Sequence, residues 1–328
     1  MKKTSWITLY FLVCISLIIT GFIRKGKTSG ITIAVIPKAT ASSFWQMVRI
    51  GADKAAEQIN AAAPAGKKCE IVWTGPKRET DREEQIQIIN DQLAARVSGI
   101  VLAPNDAVAI VSPVESIFEQ EIPCVIIDSG IETDKYLSFA ATDNYRGGVI
   151  AAERMAHILK GSGRVIVLEF NPGSASTENR VKGFVEKIAE NYPGIDIVDR
   201  QYGLDTVSTA LEKAEDMLTR HSDIHGVFAC NATTSTGMLQ ALKSQGRAGT
   251  IKFVGFDSED QLLNGLQEGH IDSLVIQNPV KMGELGVQMI YDYLVHGKKD
   301  VKKFMDTGVA LVTLENLGDP EIKTLLGK

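Results

Sequence analysis

The sequence predicts an α/β fold of two similar, doubly wound parallel-sheet domains, and three observations support this prediction. The chain has 328 residues, which is more than a single hydrophobic core usually serves. After residue 30, short runs rich in β-branched residues alternate with longer stretches of helical periodicity. The short runs are apolar throughout rather than alternating, which is typical of strands that helices cover on both faces.

Eleven runs carry this strand pattern. In chain order they are ITIAVI (31–36), EIVW (70–73), GIVLAP (99–104), PCVIID (123–128), YLSFAATD (136–143), RVIVLEF (164–170), IDIVDRQY (195–202), GVFACN (226–231), KFVGFD (252–257), DSLVIQ (272–277) and TGVALVT (307–313). So many strands exceed one small doubly wound sheet, and the chain is expected to divide into two α/β halves. Between the runs, the sequence from Thr80 to Glu83 predicts a capping box that starts a helix.

Residues 1–30 stand apart from this pattern. Lys2 and Lys3 precede an uncharged, mostly apolar run from Trp6 to Ile23, and further basic residues follow at once. A run of this length fits an export signal, or a membrane anchor when it stays uncleaved. We therefore expect an exported protein, periplasmic or at the cell surface, that is either released or tethered to the cytoplasmic membrane by residues 6–23.

The charge of the chain argues against a nucleic-acid-binding function. A net charge of -5 and a pI near 5.7 give no long-range attraction for nucleic acid.

Cys69, Cys124 and Cys230 each lie in or at the end of a strand-like run. A thiol there usually behaves as a small hydrophobe, so no disulfide framework is expected.

Polar residues gather where the predicted strands end. In open parallel sheets ligands bind beyond the carboxyl ends of the strands, so these positions are the candidate site. They are Lys38, the turn from Ser42 to Trp45, Asn105, Asp106, Asp128, Ser129, Thr142, Asp143, Asn144, Asn171, Asn231, Asp257 and Gln277. Taken singly, Asn and Asp there are also common turn and cap residues. Together they offer paired donors and acceptors for vicinal hydroxyls, with aromatic planes for the apolar face of a sugar ring.

At these residues the chain from about 31 to 313 resembles the periplasmic sugar-binding proteins of ABC transporters, of the ribose- and galactose-binding type. The stretches that carry the resemblance are SSFWQMVRIGAD, GIVLAPND, IPCVIIDSG, AATDNYRGG, SASTENRVKGF, GVFACNATTSTGMLQAL, KFVGFDS and LVIQNP. The resemblance implies two domains joined by a three-strand hinge, with the ligand in the interdomain cleft. It also implies a monomer without cofactor or metal that captures a monosaccharide and delivers it to an ABC transporter permease.

The resemblance assigns boundaries and roles to positions of this chain. It implies an N-terminal domain of 31–142 plus 278–309 and a C-terminal domain of 143–277 plus 310–328. Phe44 and Trp45 match the aromatic pair that sandwiches the sugar, and Arg180 matches an arginine that donates a forked pair of hydrogen bonds. The full set of expected ligand-binding residues is Lys38, Ser43, Phe44, Trp45, Asn105, Asp106, Asp128, Thr142, Arg180, Asn231, Asp257 and Gln277.

Two departures from the family pattern concern the ligand. Ser129 stands where the ribose-type protein has an arginine, and Lys38 occupies a position that is usually small and polar, so ribose is not predicted. Lys38 either pairs with a carboxylate or a hydroxyl-rich non-ribose sugar, or it is a solvated loop lysine.

Helical periodicity separates the two aromatic residues. Phe44 begins a stripe with Val48, Ala52, Ala55 and Ile59, whereas Trp45 lies about 100° round the helix, where the core requires it less. Trp45 is therefore expected to be the face on which the sugar stacks.

Other functions fit the residues less well. A nicotinamide-dependent dehydrogenase needs a glycine-rich turn from strand to helix, but Gly161 and Gly163 lie between a helix and the following strand. His221 and His225 lie in a connection and are weak candidates for a metal site, and no nucleophile–base pair is evident, so no enzyme is predicted. A sugar-responsive repressor would begin with a helix-turn-helix, whereas this chain begins with the apolar run. A membrane-anchored sensor that presents its sugar-closed state to a sensor kinase remains the alternative.

Overall fold

The computed structural model describes residues 30–326. The predicted signal or anchor segment, apart from Gly30, lies outside these residues. Within them, none of the helices combines the length and the apolar character needed to cross a bilayer.

The first lobe is built on a six-stranded sheet. Its strands are β1 (Ile31–Ile36), β2 (Cys69–Trp73), β3 (Gly99–Leu102), β4 (Cys124–Ile127), β5 (Ser138–Ala141) and β11 (Phe304–Asp306), in the spatial order β11-β5-β4-β3-β1-β2 and with parallel neighbours throughout. Helices α1 (Ser43–Ala62) and α9 (Pro279–His296) bury apolar residues on one face, and α2 (Arg82–Ala94) and α3 (Val111–Glu119) on the other. A short 3₁₀ turn, Ala65–Lys67, precedes β2.

The second lobe repeats this plan. Its strands are β6 (Gly163–Glu169), β7 (Ile195–Tyr202), β8 (Gly226–Ala229), β9 (Lys252–Phe256), β10 (Ser273–Gln277) and β12 (Val309–Val312), in the order β12-β10-β9-β8-β6-β7. Helices α4 (Asn144–Ile158) and α5 (Ala175–Asn191) cover one face. Helices α6 (Val207–Arg220), α7 (Ala232–Ser244), α8 (Asp260–Gln267) and α10 (Pro320–Leu325) cover the other. The predicted pair of α/β sheets is thereby confirmed.

The chain passes between the two sheets at three places, which are residues 142–143, 277–278 and 307–308. The third passage explains one departure from the predicted parallel sheets, since β12 pairs antiparallel with β10. Strand β11 runs towards the cleft with its parallel neighbours. Because the chain continues directly from β11 into β12, it enters the second sheet from the cleft and runs against the other strands.

Close backbone contact fixes α9 on the first lobe although it follows a strand of the second. A Cβ atom on Gly51 would lie 1.9 Å from the carbonyl oxygen of Val280, and one on Gly283 would lie 2.0 Å from that of Val48. Only glycine permits such an approach of two helices. Gly51 and Gly283 therefore allow α9 to pack closely on α1 of the first lobe after β10.

The cysteines of the described residues are buried and free. Burial raises the pKa of the Cys69 thiol to about 11 and those of Cys124 and Cys230 to about 12. These thiols are part of the packing, as expected for cysteines in strand-like runs.

Candidate ligand-binding cleft

A cavity lies between the lobes, where the carboxyl ends of strands from both sheets face each other. It includes about 380 Å³ of empty space, part of which is open solvent. Its lining consists of Lys38, Ser42, Phe44, Trp45, Glu79, Asp128, Ser176, Thr177, Arg180, Asn231, Ala232, Thr233, Asp257 and Gln277. Eight of the twelve residues predicted from the sequence are in this lining.

The first lobe contributes a buried ion pair. Lys38 follows β1 and Asp128 follows β4, and the Lys38 Nζ lies 2.8 Å from the Asp128 Oδ2 with both side chains buried. Lys38 also donates to the hydroxyls of Ser176 at 3.0 Å and Ser174 at 3.2 Å, both in the second lobe. The solvated-lysine alternative is therefore wrong, because the ammonium group is enclosed by acceptors from both sides of the cleft.

The second lobe places Asp257 at the equivalent position after β9. The Asp257 carboxylate accepts from the Gln277 Nε2 at 2.6 Å and from the Ala232 backbone N–H at 2.8 Å. Asp128 and Asp257 both have left-handed backbones, with φ of 61° and 73°. Such a conformation is uncommon outside glycine and is often found at functional sites. Burial raises the pKa of the Asp257 carboxyl, an effect that Arg180 and Gln277 oppose.

Arg180 extends from α5 to the same cavity. Its Nε donates to the Asn144 Oδ1 at 2.8 Å and its Nη1 to the Cys230 carbonyl at 3.0 Å. The guanidinium carbon lies 4.0 Å from the centre of the Phe256 ring, and Nη1 lies 4.0 Å from the Asp257 Oδ2. Each lobe thus presents one cation beside one carboxylate, and Glu79 adds a third acidic side chain to the lining.

The aromatic pair differs from the prediction. Trp45 is only 1% exposed and belongs to the core of the first lobe, so the expectation that the core requires it less than Phe44 is wrong. The reason is that α1 begins at the cleft, where its first turn also packs on the loop after β2. The Trp45 Nε1 donates to the Glu79 Oε1 of that loop at 2.8 Å. Phe44 is half-buried, and its ring meets that of Trp45 edge to face at 4.9 Å.

Asn105 is buried after the end of β3 and is not part of the cavity lining. Its backbone N–H donates to the Gln85 Oε1 at 3.0 Å, but neither Oδ1 nor Nδ2 has a hydrogen-bond partner among the described residues. The Oε1 of Gln277 is also buried without a hydrogen-bond partner among the described residues. A buried polar atom without a partner costs about 1–3 kcal/mol, so a ligand hydroxyl that reached these atoms would be bound favourably. Asn105 follows β3, which lies between the strands that carry Lys38 and Asp128.

The other predicted residues have structural partners. Asp106 accepts from the backbone N–H groups of Val108 and Ala109, and pairs with the Arg82 Nε at 2.8 Å. Thr142 donates to the Gly308 carbonyl at 3.1 Å, which joins two of the crossings. Neither residue is in the cavity lining.

Ser43 and Asn231 also use their side chains within the protein. Ser43 donates to the Glu259 Oε1 across the cleft at 2.5 Å and is not part of the cavity lining. Asn231 lines the cavity, but its Oδ1 caps α7 by accepting from the Thr234 backbone N–H at 3.0 Å. Only its amide nitrogen is then left to face a ligand.

Sequence reasoning missed Glu79, Ser176 and Thr177. Glu79 lies in the charged stretch KRETDREE, which reads as a solvated surface, yet it lines the cavity and is partly buried. Burial raises the pKa of its carboxyl, and the positive charge of Lys38 opposes this rise. A charged run offers no signal for such a position. Ser176 and Thr177 fall within the stretch SASTENRVKGF, whose register with the family was the only available signal.

A cleft lined by paired charges, amides and aromatic rings between two repeated lobes defines a protein that binds a small polar ligand. Residues 33–299 match the family model described as a periplasmic binding protein domain, and the chain belongs to this family. The ribose import binding protein of Bacillus subtilis is 30% identical over 290 residues, which cover 88% of this chain and 90% of the relative.

Two solved structures are similar over nearly their whole length. A carbohydrate transporter solute-binding protein from Agrobacterium radiobacter, in complex with D-arabinose, is 34% identical with a TM-score of 0.84, covering 90% of this chain and 99% of its own. An ABC transporter solute-binding protein from Agrobacterium vitis, with bound D-fucose, is 36% identical with a TM-score of 0.83, covering 89% and 98%. The predicted resemblance to sugar-binding proteins of ABC transporters is confirmed.

Proposed function

We propose that this protein is an exported substrate-binding protein that captures a neutral monosaccharide between its lobes and delivers it to an ABC transporter permease. The observation that carries the proposal is the free Oε1 of Gln277 in the cavity lining, together with the buried, unpartnered amide of Asn105 at the end of β3 on the other lobe. Together these groups provide a donor and acceptors for sugar hydroxyls. The D-arabinose and D-fucose complexes of the two similar proteins support this class of ligand.

The charges of the cleft favour a neutral sugar over a sugar acid. Lys38 is neutralised by Asp128 at 2.8 Å, and the Arg180 guanidinium has Asp257 within 4.0 Å. An incoming carboxylate would have to compete with these buried acids and with Glu79, at the cost of desolvating another charge. Hydroxyl groups meet no such penalty, because they can donate to the carboxylates and accept from the cations.

Binding proceeds by closure of the lobes on the ligand. The sugar first lies on the first lobe, with its apolar face against Phe44 and Trp45. Arg180, Asn231 and Asp257 then reach it from the second lobe, so the ligand stabilises the closed form through contacts that only this form provides. The hinge consists of the three crossings, which divide the chain into 31–142 plus 278–307 and 143–277 plus 308–328, so the third boundary lies two residues before the expected one at 309.

The remaining parts of the proposal concern the partner and the location. The family and the transporter proteins among the similar structures support a permease as the partner that distinguishes the closed from the open form. The protein acts outside the cytoplasm as a monomer, with residues 6–23 serving as the export signal or tether. No observation on the described residues favours the sensor alternative, and it is not part of the proposal.

A thermal-shift screen of residues 30–328 tests the proposal. The panel contains pentoses, hexoses, sugar alcohols and aldonic acids. Stabilisation grows with the ratio of ligand concentration to dissociation constant, so a cognate neutral sugar is expected to raise the melting temperature in a dose-dependent way. Asn105→Leu, which removes the unpartnered amide, should abolish most of the shift. Silence across the panel would refute the sugar-binding function, and a shift by aldonic acids alone would refute the neutral ligand.

A further inference from the structure

A further contact between the lobes lies at the rim of the cleft, outside the cavity. Arg78 donates from Nε to the Asp205 Oδ2 at 2.9 Å and from Nη2 to the Asp205 Oδ1 at 2.7 Å. The Thr80 hydroxyl donates to the same carboxylate at 2.6 Å. We call Arg78, Thr80 and Asp205 the rim latch. None of its three members is in the lining of the cavity.

The residues of the rim latch lie in equivalent loops of the two lobes. Arg78 and Thr80 lie in the loop between β2 and α2, and Asp205 lies in the loop between β7 and α6. Strands β2 and β7 are edge strands at equivalent positions of the two sheets. The predicted capping box at Thr80 is not formed, since α2 begins at Arg82 and its cap residue Asp81 makes no side-chain cap bond. The Thr80 hydroxyl is used across the cleft instead.

The rim latch is built as a charge-assisted, two-pronged contact. The Asp205 side chain is only 2% exposed, whereas Arg78 is 57% exposed. Burial alone would raise the pKa of the Asp205 carboxyl, but the hydrogen bonds from Arg78 and Thr80 outweigh it and lower the pKa. Paired hydrogen bonds from one guanidinium to one carboxylate are among the stronger polar contacts in proteins. All three bonds join opposite lobes, so they exist only when the lobes meet.

We propose that the rim latch sets the affinity of the protein for every sugar by one common factor, through the stability of the closed form rather than through contact with the ligand. This inference rests on the proposed sugar-binding function. The apparent dissociation constant equals the intrinsic one divided by the fraction of protein in the binding-competent form. While the open form dominates without sugar, loss of the latch should therefore raise the dissociation constants of different sugars about 5- to 30-fold, and to the same extent.

The test compares Asp205→Asn, Arg78→Lys and Thr80→Val in the full chain, purified in mild detergent. Arg78→Lys keeps the charge and removes the fork. Lys243→Gln is the matched control, because it removes an exposed ion pair with Glu268 that lies within one lobe. Dissociation constants are measured by calorimetry for D-arabinose and D-fucose, or for two other sugars that bind in the thermal-shift screen, at low and high salt.

In each of the three latch variants, the dissociation constants of the two sugars are expected to rise by the same factor. In the control variant neither dissociation constant should change. In the wild type the affinity should also fall with salt, and this dependence should be lost in Asp205→Asn. Unchanged dissociation constants, or factors that differ between the two sugars, would overturn the inference.

A sugar-free measurement separates this inference from the proposed function. Spin labels on Phe118→Cys and Leu314→Cys, which are 55% and 57% exposed in the native protein and lie on opposite lobes, report the interlobe distance. Without sugar, Asp205→Asn should lower the minor closed population in the distance distribution by the same factor of about 5 to 30. A closed population equal in wild type and variant would overturn the latch even if no sugar in the screen binds, whereas failure of the screen alone would overturn only the sugar-binding function.

Discussion

Replacement of Lys38 by methionine is the most informative perturbation of the cleft, because the ammonium group neutralises a buried carboxylate. Methionine keeps most of the length of the side chain and removes only the charge and its donors. The Asp128 Oδ2, 2.8 Å from the Lys38 Nζ, would then be a buried anion without its counter-ion. The hydroxyls of Ser174 and Ser176 would lose the same donor.

The magnitude follows from the burial of the pair. Removal of one partner from a buried ion pair costs about 3–5 kcal/mol, because the remaining charge is uncompensated. A domain of this size loses roughly 2–4 °C in melting temperature per kcal/mol. Lys38→Met should therefore lower the melting temperature of the unliganded first lobe by roughly 6–20 °C. The double variant Lys38→Met with Asp128→Asn removes both charges and should recover most of this loss.

Differential scanning calorimetry at pH 7 without sugar measures both variants against the wild type, and Lys243→Gln again serves as the control for loss of an exposed pair. A single variant as stable as the wild type would refute the role of Lys38 as a buried counter-ion. A double variant no more stable than the single one would show that lost packing, not charge, causes the effect.

Three further predictions concern the cleft. Arg180→Lys loses the two bonds to the Asn144 Oδ1 and the Cys230 carbonyl and should weaken sugar binding at least about tenfold in calorimetry; wild-type affinity would contradict this role. In Gly173→Ala a Cβ would lie 2.3 Å from the Asp106 Oδ2 of the other lobe, so sugar affinity should fall more than in Gly246→Ala, which has a similar positive φ with no described atom within 4 Å; equal affinities would contradict this. The raised pKa of Glu79 means that the protonated side chain stabilises the folded protein below pH 4.5, and that this stabilisation is lost as the pH rises through the raised pKa. The fall in the free energy of unfolding from pH 5 to pH 8 should therefore be smaller in Glu79→Gln than in the wild type. An equal fall in both proteins would rule out Glu79 as its source.

Most strands of the fold were predictable because their sequences are apolar on both faces. The run at 31–36 and the run at 195–202 coincide with β1 and β7. Strand β11 was missed, since Phe304–Asp306 is a short edge strand without an apolar run and follows a lysine-rich segment. The antiparallel direction of β12 was also beyond the sequence pattern, because direction depends on which sheet the preceding strand occupies.

The candidate site was predictable where topology alone brings residues together. Asp128 and Asp257 both follow strands at the carboxyl edge of a sheet, and both line the cavity. The environment of each side chain was less accessible to sequence reasoning. Lys38 is enclosed by residues from 90 to 138 positions further along the chain, and the burial of Trp45 depends on the loop that carries Glu79. Such contacts between distant segments leave no periodic signal in the sequence.

The three crossings between the sheets have a further consequence, which concerns effective concentration. Each lobe holds half of the site, and a single flexible linker would already present one half to the other at millimolar effective concentration. Three short crossings, tied together where Thr142 bonds to the Gly308 carbonyl, also restrict the relative orientation of the lobes. Closure is then mainly a rotation of one lobe relative to the other about one axis, and the lobes do not reorient freely. A cut at Gly308 should therefore leave a working protein, whereas a cut at two crossings would return the lobes to a flexible tether.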